Sequence, residues 1–223
     1  MIVKLVLHNL VFVGIMALVL FLSAGTLHWA SAWFYLVVSL IVGLASGLWL
    51  ARTDPGLLAE RMRLKAPEQP SADKWFMRVF LVVAMTWFVV IGLDRRLQAS
   101  TMPVLLQGIG LVLYLASTLF IMWVFRENSF AAPVVKVQAE RHHHVISTGP
   151  YAVIRHPMYA GVMLYFIGTP LLIGSWWGLA MMPVFFLAFA IRSRIEEHTL
   201  MGGLPGYADY AERVRYRMLP GIW

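Results

Sequence analysis

Four long apolar blocks constrain this chain before anything else does: Ile2 to Leu22, Ala30 to Leu50, Trp75 to Leu93 and Met102 to Phe125. A helix crossing a hydrocarbon layer of roughly 30 Å needs about 20 residues at 1.5 Å per residue, and each block meets that length. A fifth apolar run, Met158 to Ile191, is too long for one crossing and just enough for two short ones. Gly174-Ser175 interrupts it, between Pro170 and Pro183. The pattern predicts a tight helical hairpin turning near Gly174, and six spans in all. Composition agrees, with 60% apolar and 13% charged residues against roughly 25% charged in soluble domains. The expected fold class is therefore all-α, a polytopic membrane protein forming one compact helical domain. The first block follows Lys4 as a secretory leader would, but it exceeds a leader's apolar core and is read as a retained helix.

Positive residues stay on the cytoplasmic side of a bilayer, which fixes an orientation. With the N-terminus inside, the inner segments hold Lys4; Arg52, Arg61, Arg63, Lys65, Lys74 and Arg78; Arg126, Lys136, Arg141 and Arg155; and Arg192, Arg194, Arg213, Arg215 and Arg217. That is sixteen of the eighteen Lys and Arg residues, leaving Arg95 and Arg96 outside. Both termini are thus expected to be cytoplasmic. The formal net charge of +7 suits attraction to anionic inner-leaflet lipids, and no nucleic-acid partner is needed to explain it. Gly43 and Gly47, four apart, suit close internal helix packing. Tryptophans near span ends, such as Trp29, Trp75 and Trp176, read as interfacial anchors.

Between Arg126 and Arg155 the breakers Pro133, Gly149 and Pro150 predict a structured loop. After Gly202-Gly203-Leu204-Pro205-Gly206, residues Tyr207 to Arg217 suit an amphipathic helix that lies on the membrane or caps a site. The chain divides by sequence into a four-helix region, 1–125, and a catalytic region, 126–223.

Cysteine is absent, which removes disulfides, thiolate metal sites and a cysteine nucleophile. His142-His143-His144 suggests a metal, but three consecutive side chains diverge on any regular backbone and cannot all face one ion. No metal site is expected. Polar groups instead cluster where the fifth span begins: Tyr151, Arg155, His156 and Tyr159 gather donors, a cation and two aromatic faces, with Pro157 suited to a first helical turn. Helix-start amides there favour an anion. Arg192 and Glu196 lie four apart, which by itself is an ordinary intrahelical ion pair of roughly 0.3 kcal/mol. Glu196 beside Glu197 asks for more, because adjacent carboxylates near a membrane repel unless a cation lies between them, and a cationic ligand would meet that need.

The order Gln138, His143-His144-Val145-Ile146, Gly149, Tyr151, Arg155-His156-Pro157-Met158-Tyr159, an apolar hairpin, Arg192, Glu196-Glu197, Leu200, Tyr207 and Tyr210 resembles the isoprenylcysteine carboxyl methyltransferase family and its phospholipid methyltransferase relatives. The resemblance covers about the last ninety residues; the first four spans match in kind only. It implies an S-adenosyl-L-methionine-dependent methyltransferase acting on a lipophilic or lipid-modified acceptor at the cytoplasmic face. By position, Gln138, His143, His144, Val145, Ile146, Tyr151, His156, Pro157, Met158, Tyr159, Glu196 and Glu197 are expected to bind the cofactor. Arg192 and Glu196 are the expected catalytic pair, with Arg192 on the acceptor carboxylate. The chemistry of the residues is compatible: Glu196 suits an ammonium or ribose hydroxyls, and Tyr151 or Tyr159 offers a sulfonium an aromatic face.

Two other classes stay open. An NADPH-dependent membrane reductase of the sterol reductase type would draft Arg213, Arg215 and Arg217 for the 2′-phosphate, against repulsion from Glu196 and Glu197. A non-catalytic lipid-binding protein would leave the polar cluster around His156 unexplained. The acceptor, whether prenylcysteine carboxylate, amine headgroup, thiol or other hydrophobic acid, is not specified by these residues, nor is the oligomeric state.

Overall fold

The structure, a computed structural model, describes residues 1–63 and 69–223; Lys65, counted above among the inner positive residues, lies outside the described residues. Among these the chain is helical throughout: α1 (Ile2–Ala24), α2 (Ala30–Thr53), α3 (Pro55–Arg61), α4 (Ser71–Leu97), α5 (Val104–Glu127), α6 (Pro157–Ile173), α7 (Trp176–Ala180), α8 (Met182–Gly203) and α9 (Tyr207–Arg213). Five stretches are long and apolar enough to cross a membrane: α1, α2, α4, α5 and the α7–α8 pair, Trp176–Gly203. The shorter apolar α6 has 17 residues. The fold is therefore an all-α, multi-pass membrane bundle, with the two arms of the expected C-terminal hairpin formed by α6 and α7–α8.

The hairpin turns where the sequence places it. Gly174 ends α6 in the left-handed region, at φ 96°, a conformation that glycine adopts without steric cost. Ser175 then caps α7, accepting from the Gly178 amide at 2.9 Å. Its hydroxyl donates to Asp94 at 2.5 Å, as does Ser100 at 2.7 Å, so one carboxylate at the end of α4 ties down the hairpin tip.

Packing between spans relies on missing side chains as much as on present ones. A Cβ on Gly47 would sit 2.6 Å from the Leu5 side chain, and one on Gly43 would overlap Asn9, so these glycines seat α2 on α1 inside one molecule. Gly110 of α5 and Gly168 of α6 bring two backbones together: a Cβ on Gly110 would lie 2.8 Å from the Gly168 carbonyl oxygen. Ser117 reinforces that seam by donating to the Gly161 carbonyl at 2.8 Å. The aromatic centre joins α4, α6 and α8. Trp87 is fully buried and donates to the Gly178 carbonyl at 2.8 Å, while Phe166 and Phe185 stack with centroids 3.8 Å apart.

At the other end of the bundle, where α2, α5 and α8 finish and α4 and α6 begin, the segment before α6 folds as a loop with short 3₁₀ turns at Ala139–Arg141 and Gly149–Ala152. The expected amphipathic helix is shorter than the sequence suggests, because α9 stops at Arg213 instead of Arg217. Its terminal carbonyls find a different donor. Arg155 Nη1 donates to the carbonyls of Ala211, Val214 and Arg215, satisfying groups that every helix end leaves open. The chain then runs extended beside Ile154 in a parallel bridge, with the Arg155 and His156 amides donating to the carbonyls of Tyr216 and Arg217 at 2.9 and 2.8 Å.

Candidate active site

A cavity of about 760 Å³, its open mouth included, lies at this end of the bundle, within the roughly 300–1,000 Å³ common for small-molecule sites. Its wall is assembled from the loop, the start of α6, the end of α8 and α9. Of the residues singled out in the sequence, His143, His144, Val145, Ile146, Tyr151, His156, Met158, Tyr159 and Glu196 line it. Asn128, Phe130, Lys136, Leu200, Leu204, Tyr207 and Tyr210 complete much of the remainder.

The two adjacent glutamates separate. Consecutive helical residues point about 100° apart, and here Glu196 faces the cavity while Glu197 faces away. The Glu196 side chain is 29% exposed, accepts a hydrogen bond from the Tyr159 hydroxyl and has His156 Nδ1 3.6 Å away. Glu197 is 5% exposed and surrounded: Arg155 Nε at 2.7 Å, His156 Nε2 at 3.1 Å, and Arg217 Nε and Nη2 each at 2.9 Å. The expectation that a cationic ligand relieves the acidic pair is corrected by this arrangement. The chain supplies its own cations, and Glu197 anchors the C-terminal strap behind the wall. Burial alone would drive the His156 imidazole towards neutrality, yet the carboxylates of Glu196 and Glu197 outweigh it and raise its pKa. The ring stacks on Tyr159 almost parallel, with centroids 5.3 Å apart.

Other singled-out residues shape the site from outside the wall. Gln138 is fully buried; its side chain donates to the Phe130 carbonyl at 2.7 Å and accepts from Arg141 at 2.7 Å, so it shapes the loop. Pro157 opens α6 and is buried. Arg192 does not pair with Glu196 one turn away. It crosses to Asp73 at 3.4 Å, donates to the Pro133 carbonyl, and lies 5.9 Å from the Tyr159 ring centroid. Asp73 is fully buried and also accepts from Gln69 and the Val135 amide, at 2.7 and 3.0 Å. The sequence reading missed Asp73, although a lone carboxylate in the first turn of a span is a signal in itself. The helix-start amides expected to hold an anion are also spent: those of Arg155 and His156 pair with the tail, and Pro157 has none.

The loop offers other donors. His143 stacks on Phe130 at 4.4 Å, and its Nδ1 accepts from the Gln138 amide at 3.3 Å, which leaves Nε2 carrying the hydrogen. Burial, then the nearby His144 and Arg141 charges, pushes the His143 pKa down to about 4. Residues His144 to Ser147 run extended, and their amides have no backbone partner. Tyr151 holds Asn128 through its hydroxyl at 2.8 Å and Tyr210 through its carbonyl at 2.8 Å, joining loop to α9. The Tyr207 hydroxyl, on the cavity wall, is buried with no partner among the described residues.

The neutral state of His143 gives a pH prediction. Between about pH 6.5 and 4 the unfolded chain takes up a proton at this position and the folded loop does not, so stability falls as pH drops through that window. Nitrogen chemical shifts of the labelled imidazole should report a neutral Nε2–H ring at pH 6. A ring already half-protonated at pH 6 would contradict the geometry.

Residues 106–203 match the family model described as "Phospholipid methyltransferase". The chain is 32% identical over 83 residues to Protein-S-isoprenylcysteine O-methyltransferase B of Arabidopsis thaliana, covering 36% of this chain and 42% of that protein. It is 31% identical over 81 residues to the Cobalt-zinc-cadmium resistance protein CzcN of Cupriavidus metallidurans, covering 34% and 36%. The matches thus span less than half the length of these relatives. A solved structure of the eukaryotic intramembrane Ras methyltransferase ICMT (isoprenylcysteine carboxyl methyltransferase) aligns over 98% of this chain and 97% of that one, with 21% identity and a TM-score of 0.48. The family resemblance read from the C-terminal motifs is borne out by the family match and the curated relatives.

Proposed function

With its 106–203 region matching the phospholipid methyltransferase family, we propose that this membrane protein is an S-adenosyl-L-methionine-dependent methyltransferase acting on a lipophilic acceptor. The acceptor group we favour is a carboxylate of the isoprenylcysteine type. The observation that carries the reading is the cavity itself, where one exposed carboxylate, aromatic faces and an open extended backbone share a wall.

The wall chemistry fits the cofactor group by group. Glu196 would take the ammonium or the ribose hydroxyls, and the unpaired amides from His144 to Ser147 would meet the hydrogen-bonding edge of a base between Val145 and Ile146. The orphaned Tyr207 hydroxyl and His143 Nε2–H are donors that a bound polar group would satisfy. A buried hydroxyl left without a partner normally signals such a group. Tyr151 and Tyr159 would supply aromatic faces to a sulfonium.

When bound, the cofactor supplies an electrophilic methyl: the acceptor oxygen's lone pair forms the new C–O bond as the C–S pair returns to sulfur, with no proton to remove from a carboxylate. The chain's own work is then positioning, worth up to roughly 7–11 kcal/mol where reacting groups are held in line. His156 holds the Glu196 side of the wall against Glu197, Tyr159 fixes the Glu196 carboxylate, and α9 shields the cavity through Tyr207 and Tyr210. Arg192, engaged by Asp73 and Pro133, braces the wall behind Tyr159. The distribution of Lys and Arg supports a cavity that opens to the cytoplasm, where a water-soluble donor and a bilayer-borne acceptor meet.

Reductase chemistry is less well supported. Arg217, one of the arginines a 2′-phosphate would need, is held by Glu197 and by the Trp223 ring 5.3 Å away. Calorimetric titration of the purified protein tests the choice: affinity for S-adenosylhomocysteine with none for NADPH is expected, and the reverse pattern would overturn the assignment.

A further inference from the structure

Among the acids at the cavity end of the bundle, Glu197 is claimed by Arg155 and Arg217, Asp73 by Arg192, and Glu60 by Lys136 at 2.8 Å and Arg63 at 2.9 Å. Glu196 has His156 beside it. Arg61, the last residue of α3, is left over: among the described residues it has no carboxylate partner. Its guanidinium lies flat over the Phe125 ring, 4.3 Å from the centroid, and Nη1 donates to the Ala131 carbonyl at 2.7 Å, with Met158 Sδ at 3.8 Å. Nε and Nη2 make no hydrogen bond to any described residue. Burial and the nearby Arg192 charge lower its pKa to about 10, which leaves it charged at neutral pH.

Its position links two spaces. Ala131 and Met158 belong to the cavity wall, whereas Phe125 closes the inner end of a separate cleft between α1, α2 and α5. That cleft holds about 800 Å³, its open side included, and is mostly apolar, with Met16, Val42 and Ile121 among its lining and Ser39 and Tyr114 at mid-bilayer depth. A molecule with a long apolar chain in the cleft would bring its head to Arg61, beside the cavity.

We infer that Arg61, and not Arg192, grips the anionic head of the acceptor, a single-chain lipophilic carboxylate whose tail occupies the α1–α2–α5 cleft. The inference deepens the methyltransferase reading and rests on it. Arg192 is unsuited to the task because its fork is already taken by Asp73 and Pro133, and displacing it would leave a fully buried Asp73 without its cation. Arg61 has one edge of its fork uncommitted, the geometry by which guanidinium holds a carboxylate with two parallel bonds.

The test uses the full-length protein in lipid nanodiscs and three probes: S-adenosylhomocysteine, N-acetyl-S-farnesylcysteine and the carboxamide of the latter, which keeps the tail and removes the charge. The wild-type protein should bind the acid at least tenfold more tightly than the amide. Arg61→Gln should lose that preference while its affinity for S-adenosylhomocysteine stays within about twofold. If Arg61→Gln does not accumulate, Arg61→Lys carries the test, since a point charge without the fork should lose at least threefold of the preference. A wild-type protein indifferent to acid and amide, or an Arg61 variant with the preference intact, overturns the assignment. Failure of the wild type to bind S-adenosylhomocysteine would instead sink the methyltransferase reading, so the two failures are distinguishable.

Discussion

Glu196→Gln is expected to leave a folded protein that binds S-adenosylhomocysteine roughly 30- to 150-fold more weakly. The amide is isosteric with the carboxylate, and the Tyr159 hydroxyl can still donate to its oxygen, so the wall keeps its shape. What disappears is the negative charge on the accessible acid of the pair. A hydrogen bond to a charged partner is worth about 1.5–3 kcal/mol, and the upper part of that range converts to the stated loss at about 1.4 kcal/mol per tenfold. Calorimetry on the purified variant, beside its melting curve, measures both quantities. An unchanged affinity in a protein that melts like wild type would remove Glu196 from the binding site.

Glu197→Ala should do the opposite, costing stability on the order of 3–5 kcal/mol through the charges it strands. Arg155, Arg217 and the His156 ring converge on that carboxylate, and Arg155 also holds the last carbonyls of α9. With the carboxylate gone, the strap from Val214 onwards should loosen. Limited trypsin digestion ought to cut at Arg213, Arg215 or Arg217 well before wild type is cut, together with a lower melting temperature. Equal protection of the tail in both proteins would show that the strap is held by something other than this ion cluster. The two neighbouring acids therefore separate experimentally, one affecting affinity and the other integrity.

That separation marks where sequence reading stopped. The spans were legible because apolar blocks of bilayer length admit few other folds, and Gly174 and Ser175 announced the hairpin turn. The cavity wall was largely legible from the His143 to Tyr159 stretch and Glu196. What could not be read was the direction in which adjacent side chains point. Glu196 and Glu197 look equivalent until the packing of α8 against α6 and the tail assigns them to different faces. Arg192 looked free to take a ligand because its partner, Asp73, comes from a distant span outside the resembling region. Arg61 was counted only as an inner-face positive residue, since nothing local to α3 reveals that Phe125 and Ala131 come to meet it. The length of α9 was misjudged for a related reason. Its apparent continuation to Arg217 is drawn into pairing with Ile154, a competition between local helix formation and a contact some sixty positions away.

The brevity of α6 has a consequence for where the reaction takes place. Its 17 residues reach about 26 Å at 1.5 Å per residue, less than the roughly 30 Å thickness of the acyl layer. Surrounding lipids must therefore dip towards His156, or the rim beside it must sit at the level of the ester groups. In either case a greasy guest has almost no vertical distance to climb: its head arrives at the threshold while its tail stays solvated by neighbouring chains. The enzyme would be spared the work of pulling a hydrocarbon into water.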